Sequence, residues 1–328
     1  MKLDDIGFYT LTEQRAEAAS SISPLWRCEL ILTSRCNLNC KYCRRLRKDI
    51  NPDIGLLKFI EVLRIWMDGG LRNVRFSGGE PTLYPDIGRL VDYCVEGGVE
   101  RIAISTNGTA SLRLYDDLLA RGVNDFSISL DSGCCSIGDK MAGKNGAWET
   151  AVASIRHLTP LTYVTVGMVF TDDNIEECID AVKFVHGLGV ADIRIIPAAQ
   201  QNRVLTQLCA LPQDVLDAHP ILHYRILNAQ ESVPVRGLNR EDSHKCWLAL
   251  DDIATAGGYH FPCVIYLREQ GDYIGKMSDT VRMDRAKWIS HHDTHMDKIC
   301  KANCLDVCRD YNNRYEQLRN YLINLQEV

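Results

Sequence analysis

Cys36, Cys40 and Cys43 lie within eight residues, in Cys36-Asn-Leu-Asn-Cys40-Lys-Tyr-Cys43. Three thiolates so spaced can hold three irons of a four-iron cluster and leave the fourth iron for an external ligand. A structural zinc is the rival reading, but such a site is closed by four protein ligands. No fourth ligand is near, since His157 and His186 sit in helical stretches well away. Five further cysteines, Cys246, Cys263, Cys300, Cys304 and Cys308, gather downstream. The chain holds 14 cysteines in 328 residues, too many and too clustered to be core filler alone. Its start, MKLDDIGFYTLTEQ, carries two acids where a secretory signal is basic. No apolar run approaches the roughly 20 residues of a membrane helix. A cytoplasmic protein is therefore expected, and in a reducing compartment clustered cysteines are more often metal ligands than disulfides.

The elements that must carry these residues alternate. Strand candidates at 28–34, 74–80, 101–108, 125–131, 162–170 and 192–199 are nearly continuous in Val, Ile, Leu and Ser. Such runs suit strands buried on both faces of a parallel sheet. Between them lie amphipathic stretches, among them LLKFIEVLRIWMDGG, IGRLVDYCVEGG and LRLYDDLLARG, several of which stop at Gly. The alternation predicts βα units with right-handed crossovers, hence an α/β fold with an incomplete (β/α)6 barrel. Cys36 to Cys43 then sit on the loop leaving the first strand, on the face where barrels build active sites. A helix is expected over 213–229, and a hairpin in LALDDIATAGGYHFPCVIYL with Gly257-Gly258 at its turn. A terminal helix is expected around 304–325. The predicted organisation is an N-terminal segment 1–26, a barrel 27–229 and a small α+β domain 230–328. A hydrophobic share of 46% and a charged share of 24% are those of a globular protein, which excludes a disordered chain. Net charge of -6 gives no general footprint for nucleic acid, the basic stretch Lys41 to Lys48 excepted.

Cys36, Cys40, Tyr42 and Cys43 in the order Cys-x3-Cys-x-aromatic-Cys resemble the signature of the radical S-adenosylmethionine (radical SAM) enzymes. Ser77-Gly78-Gly79-Glu80-Pro81 resembles that superfamily's GGEP motif. Ser105-Thr106-Asn107-Gly108 and Ser127-Ile128-Ser129-Leu130-Asp131 follow in the family's order, so the resemblance covers about residues 26 to 200. It implies that Cys36, Cys40 and Cys43 bind a [4Fe-4S] cluster whose open iron is chelated by S-adenosylmethionine. Reductive cleavage would then give a 5′-deoxyadenosyl radical that abstracts hydrogen from an organic substrate. Under this resemblance Gly78 and Gly79 let backbone approach the ligand, and Glu80 accepts from its ammonium. Tyr42 lies near adenine, and Ser105, Asn107 and Ser129 meet ribose or carboxylate. Strand-end capping is the alternative role for Ser105 and Ser129.

Cys246-x11-Gly258-x4-Cys263 and Cys304-x3-Cys308 resemble the SPASM auxiliary-cluster domain. That domain needs about seven cysteines for two clusters, and the five here point to its shortened twitch form with one auxiliary [4Fe-4S] cluster. Zinc is the structural alternative. Were 300–308 one helix, four residues would rise about 6 Å and eight about 12 Å, so only neighbours could share a cube. Cys246, Cys263, Cys304 and Cys308 are the expected ligands, with Cys300 an alternative. Cys28, Cys94, Cys178 and Cys209 read as core filler. Cys134 and Cys135, expected in a Gly-rich loop on the active face, are candidate hydrogen donors to a substrate radical, or loop cysteines without a role. His291-His292-Asp293-x-His295 reads as a solvated loop that could bind metal.

The expected activity is radical chemistry on a peptide or small natural product, as oxidation, cross-linking or epimerisation. An external donor such as flavodoxin or ferredoxin would supply electrons. About 27 residues before the first strand are fewer than a separate leader-binding domain needs, which counts against a peptide. A purine-nucleotide cyclase of the molybdopterin pathway is the second enzyme reading, against which the end Asn-Leu-Gln-Glu-Val lacks that family's Gly-Gly tail. A non-enzymatic iron–sulfur or zinc scaffold binding nucleic acid through Arg44 to Lys48 is the reading of another class.

Overall fold

The structure, a computed structural model, describes residues 1–2, 11–197 and 203–326. Its strands are β1 (Arg27–Ile31), β2 (Asn73–Ser77), β3 (Arg101–Thr106), β4 (Asp125–Ser129), β5 (Tyr163–Phe170), β6 (Asp192–Pro197), β7 (Asp252–Ala256), β8 (Tyr259–Phe261) and β9 (Gly275–Lys276). The chain divides into two compact units. One holds residues 30–45 and 74–235, the other residues 1–29, 46–73 and 236–328.

In the 30–45/74–235 unit the strands run β6-β5-β4-β3-β2, with β3 to β6 pairing in parallel. Successive side chains of a strand point to opposite faces. Ile104, Phe126, Ile128, Val166, Met168, Ile193 and Ile195 are fully buried. The register sets Ser105 beside Ser127, Ser127 beside Thr165 and Gly167 beside Arg194. One face is thus large and apolar, the other small and polar with a guanidinium. The six expected strands form, an α/β arrangement with an open parallel sheet rather than a closed barrel. Residues 78–80, 107–108 and 130–131 have already left the sheet, while 198–199 lie outside the described residues.

Two local expectations are corrected here. The helix expected over 213–229 is two, Gln213–Ala218 and Pro220–Gln230. Pro220 lacks the N–H that would continue the first, and its fixed φ suits the first turn of the second. The segment expected as a Gly-rich loop at Cys134 and Cys135 is a helix, Cys135–Ala142, with Cys134 at its N-cap and Gly143 (φ 65°) ending it. It accommodates Gly138 because Trp148 lies against it: a Cβ there would stand 2.3 Å from Trp148 Cδ1.

The other unit joins three stretches of chain. Helix Leu56–Asp68 buries Phe59, Val62, Leu63 and Trp66. The expected hairpin forms as β7 and β8, with Gly257 and Gly258 both at positive φ (58° and 79°), as a tight two-residue turn requires. β9 adds an antiparallel third strand that sequence did not reveal. Buried Arg15 donates to both oxygens of Asp251 at 2.8 and 2.7 Å, and Tyr311 Oη donates to the same carboxylate at 3.0 Å. Arg285, 1% exposed, donates to the carbonyls of Ala249 (2.6 Å), Asp252 (2.6 Å) and Phe261 (2.9 Å). The expected terminal helix forms as Asp306–Gln326, and a shorter helix, Lys298–Asn303, precedes it, with Cys304 between them at φ -55° and ψ 130°. The helical-rise argument for choosing among Cys300, Cys304 and Cys308 therefore does not apply. No helix among the described residues is long and apolar enough to cross a membrane.

Candidate functional site

Cys36 and Cys43 are exposed and Cys40 half-buried on the loop after β1. Three ties hold this loop. Asn39 N–H donates to the carbonyl of Ala142 at 3.0 Å, and Cys40 Sγ lies 3.8 Å from the same oxygen. Gly143 permits the approach, since a Cβ there would meet the Asn39 carbonyl oxygen at 2.5 Å. Tyr42 Oη donates to Asp131, whose other oxygen accepts from Val169 N–H at 2.8 Å, so the loop is fixed to the ends of β4 and β5. At the end of β3, Asn107 Nδ2 donates to Asn37 Oδ1 at 2.8 Å and lies 3.8 Å from Cys36 Sγ. Burial pushes the Asp131 carboxyl up to about 6. Burial, and then Asp131, push the Cys40 thiol up to about 11 and raise Tyr42.

The Gly78-Gly79-Glu80 turn packs closely against the loop that follows β1. A Cβ on Gly78 would stand 2.6 Å from the carbonyl oxygen of Thr33, and one on Gly79 2.2 Å from that of Arg35. The glycines allow two stretches of the chain's own backbone to meet, through Gly79 N–H to Thr33 (2.7 Å) and Glu80 N–H to Arg35 (2.8 Å). Glu80 is 1% exposed. Its Oε1 accepts from Thr82 N–H (3.1 Å), Thr82 Oγ1 (2.6 Å) and Thr106 Oγ1 (2.7 Å), and its Oε2 from Asn107 N–H (2.7 Å). Burial raises its pKa while these donors pull it back. Its contacts make Glu80 a brace between the ends of β2 and β3.

Ser105 is half-buried and Ser129 exposed at their strand ends. Sequence reasoning missed Arg194, whose guanidinium donates to Ser127 Oγ on the polar face of the sheet. The available signal was an arginine inside the apolar run DIRIIP. Asp131 was also missed as a support for the cysteine loop. Cys134 and Cys135 are both exposed. Hydrogen bonds from Ser136 and the helix N-terminus lower the Cys134 thiol, whereas desolvation and Asp139 raise Cys135.

In the other unit, Cys246, Cys263, Cys300, Cys304 and Cys308 all line one apolar cavity. Separate elements deliver them. Cys246 precedes a short 3₁₀ turn, Cys263 follows β8, and the broken C-terminal helices supply the rest. Arg285 fixes the first two by holding the carbonyls of Ala249 and Phe261. Asn312, one turn beyond Cys308, accepts from Leu248 N–H at 2.9 Å. Burial pushes Cys246 up to about 12 and raises Cys263, Cys304 and Cys308, and neighbouring thiols add to the rise at Cys246, Cys304 and Cys308. Thiols so placed ionise only against a cation, and this donor set fits an iron–sulfur cube.

Residues 30–185 match the Radical SAM superfamily, and this part of the chain is a radical SAM domain. That superfamily works with a [4Fe-4S] cluster and S-adenosylmethionine. Molybdenum cofactor biosynthesis protein 1 of Drosophila melanogaster is 36% identical over 172 residues, 50% of this chain and 30% of that protein. A probable GTP 3′,8-cyclase of Methanocaldococcus jannaschii is 26% identical over 253 residues, 71% of this chain and 83% of that protein. Among solved structures, Streptococcus suis SuiB bound to precursor peptide SuiA aligns at TM-score 0.60 and 15% identity, covering 90% of this chain and 78% of that one. The match spans 30% of the fly protein's length and 32% of a Chlorobaculum tepidum GTP 3′,8-cyclase.

Proposed function

We propose that the chain is a radical SAM enzyme that tailors a peptide or small natural product by net oxidation, using a fully ligated auxiliary cluster. The observation that carries this reading is the convergence of five cysteines on one apolar cavity. Four suffice for closed ligation, so no iron need be left open to substrate. When bound, the first cluster and S-adenosylmethionine supply one-electron cleavage that yields a carbon radical. Cys36, Cys40 and Cys43 would hold its three irons, on a loop that Tyr42, Asp131 and Gly143 keep in place. Arg194 and Ser127 suit a carboxylate, while Ser105, Asn107 and Ser129 present polar groups at the strand ends. Glu80 keeps the ends of β2 and β3 in register. Cys246, Cys263, Cys304 and Cys308 would hold the auxiliary cluster, within the predicted 230–328 domain. The external electron donor would be a low-potential protein such as flavodoxin or ferredoxin.

The similarity to proteins named as GTP 3′,8-cyclases favours a second reading, cyclisation of a purine nucleotide. One experiment separates the two: anaerobic turnover with reductant against a peptide and metabolite panel that includes GTP. The readouts are substrate-dependent 5′-deoxyadenosine and product mass in H2O and D2O. A product two hydrogens lighter supports net oxidation. A product of unchanged mass that gains one deuterium from D2O defeats it and favours hydrogen return from Cys134 or Cys135. Turnover of GTP alone establishes the second reading.

A further inference from the structure

The geometry points to a mononuclear divalent-metal site, of the kind zinc takes, made by His292, Asp297 and Cys300 beside the cysteine cavity. Their ligand atoms all lie within 4.8 Å of one another. Cys300 Sγ is 3.6 Å from His292 Nε2, and His292 Nε2 is 3.9 Å from Asp297 Oδ2. Zinc bonds to N and O at about 2.0 Å and to thiolate at about 2.3 Å, so tetrahedral ligands stand roughly 3.3–3.6 Å apart. Two of the three separations are thus close to coordinating distance and the third lies within 4.8 Å, so closing on an ion asks for shifts on the order of an ångström or less.

The surrounding residues orient each donor as outer partners of metal ligands do. Asp297 Oδ1 caps helix Lys298–Asn303, accepting from Ile299 N–H and Cys300 N–H at 2.8 Å each, and Tyr266 Oη donates to Oδ2 at 2.8 Å. Trp288 stacks on the His292 ring at 4.0 Å between centroids. Lys245 Nζ holds the His292 carbonyl at 2.9 Å. All three ligands are half-buried, which leaves a fourth position for water or a small ligand. A mixed imidazole, carboxylate and thiolate set selects zinc or another borderline cation over magnesium or calcium. The assignment goes beyond the proposed activity. It removes Cys300 from the auxiliary cluster and leaves that cluster Cys246, Cys263, Cys304 and Cys308.

The test uses the full chain with its iron–sulfur clusters assembled, loaded with Zn2+ and washed with a weak chelator. Zinc, iron and acid-labile sulfide are counted, and zinc X-ray absorption reads the ligands without interference from iron. One zinc per chain with a single sulfur at about 2.3 Å and nitrogen or oxygen at about 2.0 Å is expected. Asp297→Asn keeps the helix-capping oxygen and should weaken zinc retention at least ~10-fold, with iron and sulfide unchanged; His292→Ala should abolish retention with the same iron. No retained zinc, or zinc surrounded by four sulfurs, overturns the site. So does a Cys300→Ala protein that loses iron while keeping zinc. None of these readouts depends on turnover, so the substrate reading and this site can fail separately.

Discussion

The two cysteine clusters are built on opposite principles. Cys36, Cys40 and Cys43 ride an exposed loop whose order comes from three side ties, at Tyr42–Asp131, Asn39–Ala142 and Asn107–Asn37. The downstream cysteines, all half-buried, line an apolar cavity, delivered by separate elements and locked by Arg285 and Asn312. An exposed ligand set can exchange its occupant's outer partners without disturbing the core. A set of thiols around an apolar cavity is tied into the packing, and removing one leaves either a hole or an unmatched charge. The first arrangement suits a cluster that must meet S-adenosylmethionine, the second a cluster that only passes electrons.

Replacing Cys36, Cys40 and Cys43 together by Ala gives the largest functional effect. One four-iron complement and all 5′-deoxyadenosine formation should vanish, while thermal stability of the metal-free chain changes by under about 1 kcal/mol, as for exposed sites. Cleavage surviving in that variant would refute the reading of the loop. Arg285→Met attacks the other region. Three buried carbonyls lose a charged donor, which should cost about 3–5 kcal/mol and deplete auxiliary iron before radical-cluster iron. Equal loss of both irons would erase the distinction drawn above.

A pH experiment sharpens the same contrast. Burial lowers the His260 imidazole on β8 to about 3, below its ordinary 6.5. Below pH 6.5 the unfolded chain binds a proton that the folded one refuses, so stability is present above 6.5 and lost as pH falls toward 3. For Asp131, raised to about 6 from 3.8, the folded state binds the extra proton, and stability falls as pH rises from 4 to 6. Urea unfolding at pH 7 and pH 4 should show His260→Gln losing less on acidification than the parent by a few kcal/mol. It should show Asp131→Asn lacking a gain on the order of 2 kcal/mol. Identical acid responses in all three proteins would mean that neither group is desolvated as described. An effect of similar size belongs to Glu80→Gln, about 1.5–3 kcal/mol of stability without any ligand present, because its carboxylate accepts from four protein donors. An unchanged melting temperature with weakened S-adenosylmethionine binding would return Glu80 to the ammonium.

The strands and the Gly257-Gly258 hairpin were legible because apolar continuity and paired positive-φ glycines are local signals. The break at Pro220 was legible too, and a single helix over 213–229 overlooked it. Helix Cys135–Ala142 was hidden because its Gly138 weakens any helical pattern, and the reason for that glycine, Trp148, comes later in the chain. Glycines 78 and 79 stood out as a motif, but only coordinates reveal that they face Thr33 and Arg35. The ring of cysteines was legible as composition and spacing. Its supports, Arg285 and Asn312, carry no local signature, and Cys304 looked helical until the chain was seen to break there.

The pairing of Arg15 with Asp251 spans 236 positions. A ribosome making the chain in order exposes all of residues 30–235 before the partner of Arg15 exists. The unit that includes the auxiliary cysteines must therefore close last, after an interval in which its early stretches, residues 1–29 and 46–73, lack the partners made later. A fragment beginning at residue 230 would lack Arg15 and helix Leu56–Asp68, and one ending there would leave that arginine with no carboxylate. Neither half is a portable module, and grafting the C-terminal cysteines onto another scaffold would require carrying along the first 29 residues and the 46–73 stretch as well.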